Sequence, residues 1–327
     1  MSNDDFQPVS GSDIPRFAGV PTFMRLPMVV AGNAARADVD IGIVGVPWDG
    51  GTTNRPGARH GPRQLRDLST MIRAVHPATG VNPFKAKNCA DLGDAPVNPA
   101  DVADALERVT DFYTAVHADN IIPLTAGGDH LVSLPILRAL GRERPLAMIH
   151  YDAHTDLFDD YFGGFKYTHG TPFRRAIEEG LLDPTKVVQI GIRGTMYDGE
   201  DIAWGKERGV RIITIDELMD RGHQAVMEEA RGIVGDHPTY VSFDIDFIDP
   251  SYAPGTGTPE IGGPSTYEAQ RLVRGLYGLS LVGADLVEVS PPFDPSGGTA
   301  WVGVSIMFEL LCALAAGRAC LRIEGRR

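Results

Sequence analysis

Cysteine is nearly absent from this chain: Cys89, Cys312 and Cys320 are the only three in 327 residues, far apart or in apolar helical context. That excludes a disulfide framework and a CxxC metal knuckle, and it makes a reducing cytoplasm the expected compartment. Positive charge is also in short supply. Thirty Lys and Arg against 43 Asp and Glu leave a net charge of −13. No basic patch remains for nucleic acid, whereas a small cation would be drawn to an acidic cleft. No apolar run approaches the roughly 18–20 residues of a membrane span, so no membrane association is expected. The start, "MSNDDFQPVSGSD", is too polar and acidic for a signal peptide. No linker, low-complexity tract or repeat interrupts the chain. One domain over 1–327 is expected, with an N-terminal extension at 1–38 and a C-terminal tail at 319–327.

What is present is a regular alternation. Short β-branched runs at 40–47, 121–128, 146–153, 186–193, 210–216, 239–246 and 279–290 read as buried strands. Helix-period stretches lie among them at 99–118, 129–141, 171–181, 199–208, 223–234, 265–277 and 303–317. Apolar strands alternating with helices predict an α/β fold with a parallel sheet covered on both faces. The polar motifs then fall in one place. "GGDH", "DAHTD", "DID" and "EVSPP" each follow or close a strand. Parallel sheets bind ligands at the carboxyl ends of their strands, so four strand ends converge on one edge.

The chemistry of that edge is hard and anionic. His130, Asp152, His154, Asp156, Asp244 and Asp246 supply four carboxylates and two imidazoles. If the strands continue, Asp152, His154 and Asp156 share one face with period two, and so do Asp244 and Asp246. A mixed O/N set of this kind suits Mn²⁺ and tolerates Fe, Co or Ni, and a lone zinc would need fewer anionic ligands. Two divalent ions would neutralise carboxylates that otherwise repel one another.

These motifs, together with "TTNRPGARHGPRQLR" (52–66), "THGTPFRRA" (168–176) and "PGTGTPEIGG" (254–263), resemble the ureohydrolase family of arginases, agmatinases and guanidino-acid hydrolases. The resemblance runs from about residue 8 to 318 and is greatest to guanidinopropionases and guanidinobutyrases. It implies a three-layer α/β/α sandwich, assembled as a homo-trimer or hexamer, with a hetero-oligomer of paralogues as a variant. It also implies two metal ions, Mn²⁺ or Ni²⁺. His130, Asp152, Asp156 and Asp244 would hold one, and Asp152, His154, Asp244 and Asp246 the other, with Asp152 and Asp244 shared. The expected reaction is hydrolysis of a guanidino C–N bond by a metal-activated hydroxide, giving urea and an amine. The same resemblance makes Asp156 and His169 the proton-transfer groups, and Glu288 the carboxylate that pairs with the guanidinium in a fork.

Substrate choice stays open at this level. The segment 157–167, "LFDDYFGGFKY", lies between the last ligand and His169. Leu157 and Phe158 stand where guanidino-acid enzymes of the family carry small polar residues. As a pocket wall they would favour an alkyl group, pointing to N-alkylated guanidines or biguanides such as metformin. As core residues they would leave Tyr161 and Lys166 facing the tail of a guanidino acid such as 3-guanidinopropionate. Asn54 and Arg55 are within expected reach of the same tail. A catalytically silent subunit would have lost ligands, and none is missing.

Overall fold

The computed structural model describes residues 3–317, so the expected tail at 319–327, Cys320 included, lies outside the described residues. Eight strands form one sheet: β1 (Ile41–Gly45), β2 (Cys89–Asp94), β3 (Ile122–Ala126), β4 (Leu146–Tyr151), β5 (Leu182–Ile192), β6 (Arg211–Thr214), β7 (Thr239–Asp244) and β8 (Leu281–Val287). Their order is β2-β1-β3-β8-β7-β4-β5-β6, and every neighbouring pair is parallel. Nine helices are described: α1 (Gly61–Leu68), α2 (Pro83–Ala86), α3 (Val102–Ala118), α4 (Ser133–Leu140), α5 (Pro172–Glu178), α6 (Glu200–Glu207), α7 (Ile215–Val234), α8 (Thr266–Arg274) and α9 (Gly298–Ala315).

Strand side chains alternate between two separate cores, as a period of two requires. Ile41, Ile43, Ile149, Tyr151, Val241 and Phe243 join α7, α8 and α9 on one face. Val44, Leu146, Met148 and Tyr240 join α3 and α4 on the other, with Phe173 of α5. A sheet buried on both sides between helices is the three-layer α/β/α arrangement expected from the sequence.

Three of the differences from the sequence reading have a local reason. The edge strand β2 escapes it because "CADLGD" carries two acidic residues in six positions; one of them, Asp91, accepts from Phe23 N at 2.8 Å and pairs with Arg66. The helix placed at 223–234 begins at Ile215, because Thr214 leaves the strand and caps Glu217 N, and Gly222 interrupts the helix with φ of 78°. Helix α9 begins at Gly298 rather than 303. With 18 residues and a mean hydropathy of 1.7 it is long and apolar enough to cross a membrane, contrary to the expectation from sequence, but 78% of it is buried inside the fold. A helix hydrophobic all round is equally a core helix.

Candidate metal centre

The four central strands β3, β8, β7 and β4 deliver the candidate ligands from their carboxyl ends. His130 opens a 3-10 turn after β3, with Asp129 capping Leu131 N at 3.0 Å. Asp152 follows β4 directly, Asp244 closes β7, and Glu288 follows β8. Neither ligand strand continues as the periodic reading supposed. β4 ends at Tyr151, and Asp152–Asp156 is irregular. Asp246 sits in a 3-10 turn whose N–H is capped by Asp244 Oδ1 at 2.8 Å. The ligands converge through these turns, not through strand alternation. Asp156 and Glu288 hold φ of 52° and 64°, two of six non-glycine residues with positive φ among the described residues. Strain of this kind persists where the surroundings over-determine it.

The resulting geometry is compact. His130 Nδ1 lies 3.1 Å from Asp152 Oδ2, 3.0 Å from Asp156 Oδ2 and 3.1 Å from Asp244 Oδ2. His154 Nδ1 lies 3.1 Å from Asp246 Oδ2 and 3.4 Å from Asp152 Oδ1. The two oxygens of Asp152 therefore face two different imidazoles. In each of the groups His130–His150–Asp152–Asp156 and Asp152–His154–Asp246, potential donor atoms gather within 4.8 Å of one another. Burial raises the pKa of Asp244 well above the carboxylate range, and the nearby Asp246 and Asp152 charges push the same way. Asp246 is raised for the same reasons, burial first and Asp152 next. So many carboxylates stay ionised together only beside a cation.

Whether these residues fit metal ions is tested by His130. Its Nε2 is 2.8 Å from Ser242 Oγ, whose hydroxyl donates to Asp285 Oδ1 at 2.7 Å. That chain places the ring proton on Nε2 and leaves a lone pair on Nδ1. Nδ1 is buried and has no hydrogen-bond partner, although three carboxylates surround it. A lone pair aimed among carboxylates is the disposition a metal ligand needs, and the Ser242–Asp285 support behind it is that of a ligating histidine. These residues could hold metal ions.

Glu288 and His169 stand beside the cluster. His169 Nδ1 is 2.8 Å from Glu288 Oε1, and Nε2 accepts from Thr53 N at 3.2 Å. Burial opposes charge on His169, but Glu288 outweighs it and raises the pKa to about 9, so a second proton is readily taken. Glu288 Oε1 also accepts from His130 N at 3.0 Å. One oxygen of Glu288 is thus committed, and only Oε2 is left for a guanidinium, half of the fork expected from the resemblance. Asp129 underlies both groups. It is fully buried, and desolvation together with Glu288 pushes its carboxyl up to about 8.

The specificity residues divide. Leu157 is fully buried and packs against Gly205 of α6 in the core that includes Val210 and Ile212. Its side chain is taken up by that core. Phe158 is half-buried and meets Tyr161 and Tyr197 edge-on, with ring centroids 5.4 and 5.9 Å apart. Tyr161 pairs backbone-to-backbone with Phe165 at 2.9 and 2.8 Å, closing the loop. Lys166 is exposed, 3.7 Å from Asp159. Asn54 is exposed too. Arg55 is not free to reach a substrate tail. Its guanidinium lies 4.0 Å over the Phe293 ring and bonds the carbonyls of Thr256 and Gly257. Expected from sequence as a substrate contact, it instead ties two loops together.

Sequence reading missed Asp129, Ser242, Asp285, Gln189, Arg193 and Thr53. Arg193 spreads its guanidinium over the carbonyls of Asp246 (2.6 Å), Phe247 (3.1 Å) and Glu260 (2.8 Å), pinning the 254–263 loop beside the ligands. An arginine directly after the strand end "QIGI" was the one available signal for it.

Comparison with known proteins agrees with this geometry. Residues 39–313 match the Arginase family. A guanidinopropionase from Pseudomonas aeruginosa is 60% identical over 319 residues, 98% of this chain and 99% of that one. A guanidinobutyrase from the same organism is 46% identical, covering 96% and 98%. The solved proclavaminate amidino hydrolase of Streptomyces clavuligerus superposes with a TM-score of 0.85 at 40% identity, over 92% of this chain and 99% of that one. By its sequence match, its fold and its strand-end cluster, this chain belongs to the arginase family.

Proposed function

We propose that this arginase-family amidinohydrolase cleaves the C–N bond between the guanidino carbon and the tail of a small guanidino acid, with 3-guanidinopropionate the first candidate. The 60% identity to a guanidinopropionase over almost the whole of both chains carries this reading. His130, Asp152, Asp156 and Asp244 would hold one divalent ion, and Asp152, His154, Asp244 and Asp246 a second. A manganese pair, as named for a related Trypanosoma cruzi formiminoglutamase 25% identical to this chain, is the first choice, with Ni²⁺ the alternative. Such ions supply a nucleophile at neutral pH by lowering the pKa of water.

The chain's own residues do the rest. Glu288 Oε2 accepts from the guanidinium and orients its carbon toward the ligand cluster. Water's oxygen becomes the urea carbonyl, the bond from carbon to the tail nitrogen breaks, and that nitrogen leaves protonated. Asp156, beside His130, carries the proton inward. His169, held by Glu288 and Thr53, exchanges it with solvent. Lys166 is the cation available to the substrate carboxylate, since its contact with Asp159 is loose. Phe158 and Tyr161 flank the tail. Buried Leu157 removes half of the apolar pair on which alkylated guanidines rested.

The chain acts as one domain in the cytoplasm, a reading supported by the free, buried Cys89 and Cys312. It assembles with further copies, and Phe17 and Val20, 94% and 88% exposed, offer apolar surface for that. The test is urea release by Mn²⁺- or Ni²⁺-loaded protein from 3-guanidinopropionate, 4-guanidinobutyrate, agmatine, arginine, 1,1-dimethylguanidine and metformin. The three-carbon acid should lead. An alkylated cation or arginine in first place would end the guanidino-acid reading.

A further inference from the structure

Behind the ligands a row of buried polar side chains crosses the sheet, one per strand. Gln189 of β5 pairs in register with His150 of β4, His150 with Ser242 of β7, and Ser242 with Asp285 of β8. All four are fully buried. The Ser242–Asp285 half supports His130, as described above. The other half ends on Asp152. His150 Nε2 lies 2.8 Å from Asp152 Oδ2, the oxygen that faces His130.

Which way this bond runs is decided by Gln189. Its amide nitrogen is 2.5 Å from the Thr155 carbonyl and 3.1 Å from His150 Nδ1. A carbonyl can only accept, so the nitrogen end of the amide must face Thr155. Its second hydrogen then points at His150 Nδ1, which must be the unprotonated ring nitrogen. The proton sits on Nε2 and is donated to Asp152. The His150 ring cannot turn away, since Phe173 packs on it at 4.5 Å and His130 at 5.1 Å.

Resting on the two-ion reading above, we propose that Gln189 and His150 form a positioning pair that holds Asp152 across both halves of the metal centre. Gln189 sets the tautomer, and His150 fixes the carboxylate plane by donating to Oδ2. Oδ1 is then presented to His154, with His154 N donating to it at 2.6 Å. Without the donor, Asp152 is held through Oδ1 alone, and Oδ2 is no longer fixed toward His130. Neither residue touches the substrate or the reacting atoms.

The test is metal content after dialysis against a competing chelator, with the electron paramagnetic resonance of Mn²⁺-loaded protein as a second readout. His150→Phe keeps the ring packing and removes the donor. His150→Gln keeps a donor, and Gln189→Met removes the tautomer-setting group. Wild type should hold two ions per chain and show a coupled-pair spectrum. His150→Phe should hold one of them roughly 10–100-fold less tightly, the usual cost of losing such support, and should lose the coupled spectrum. His150→Gln should recover much of the difference, and Gln189→Met should fall between. If His150→Phe does not fold, the other two variants carry the comparison through the melting of metal-free protein and the same spectrum. Two tightly held ions and a coupled spectrum in His150→Phe, or in Gln189→Met where only that folds, would overturn the inference and leave the proposed reaction standing. A wild type that never holds a second ion would overturn both.

Discussion

Two buried clusters of charge sit in this fold, and they are built on opposite terms. Glu309, the one charged residue of helix α9, accepts from Arg274 Nη2 at 2.6 Å and Nε at 3.0 Å, and from His76 Nε2 at 3.0 Å. His76 Nδ1 in turn accepts from the N–H groups of Ala78 and Thr79 at 3.2 and 3.1 Å. That cluster is complete from within the chain. At the strand ends, the ion-pair partners of Asp152, Asp156, Asp244 and Asp246 among the described residues are all imidazoles, and no Lys or Arg among them forms an ion pair with any of the four. Arg193 comes near but spends its guanidinium on backbone carbonyls. A chain able to balance Glu309 internally has left four carboxylates unbalanced in one place. The difference fits a site that could take its counter-charges from bound metal ions.

Asp244→Asn would break this comparison most severely. If Asp244 is shared between two ions as proposed, its removal should abolish retention of at least one ion and lower urea release about a thousandfold, roughly 4 kcal/mol of activation free energy. The metal-free variant should melt no lower than metal-free wild type, because it also removes a like charge from the cluster. A clear loss of metal-free stability would show that the carboxylates are balanced internally after all. His169→Asn comes next. It should leave both ions bound and lower kcat about a hundredfold with little change in KM, as loss of a proton-transfer group does. Arg274→Met is the converse experiment. It leaves Glu309 buried beside an imidazole alone and should cost about 2 kcal/mol in urea denaturation, below the roughly 3–5 kcal/mol for a fully broken buried pair because the arginine side chain is 20% exposed. Metal content and kcat should not move.

The candidate cluster was legible in the sequence because each strand end packs its chemistry into three to five consecutive residues, "GGDH", "DAHTD" and "DID". The seven apolar strands were legible because β-branched runs announce burial. Most of what supports the cluster was not. Gln189, His150, Ser242 and Asp285 form one row only through strand register, and parallel register is a tertiary fact that no local spacing encodes. Leu157 was ambiguous for a related reason. Adjacent to Asp156 in sequence, it packs into the core, and its neighbours there, such as Gly205, lie far along the chain. Arg55 looked like a substrate contact by position, and Phe293 and the Thr256 carbonyl, some two hundred residues away, claim it instead.

The smallest effect is expected at a third cluster, internally balanced like that of Glu309 but open to solvent. Asp159 accepts from Arg175 Nη2 at 2.8 Å, with Arg174 and Lys166 at 3.4 and 3.7 Å. The Arg175 bond, against a small opposing effect of burial, holds the carboxyl below its ordinary range, with the other two cations adding to it. The pKa is lower folded than unfolded, so the stabilisation is complete above about pH 4 and is lost as pH falls through the folded value. Because Asp159 is 45% exposed, solvent screens the interaction and the whole effect is at most about 1 kcal/mol. Hydrogen exchange at Tyr161 and Phe165, whose amides close the loop, should therefore quicken by several-fold between pH 5 and pH 3 beyond the intrinsic pH effect. Asp159→Asn should exchange fast at both. If the pH response persists in that variant, the loop is held by something other than this cluster, and solvent exposure is not what separates it from Glu309.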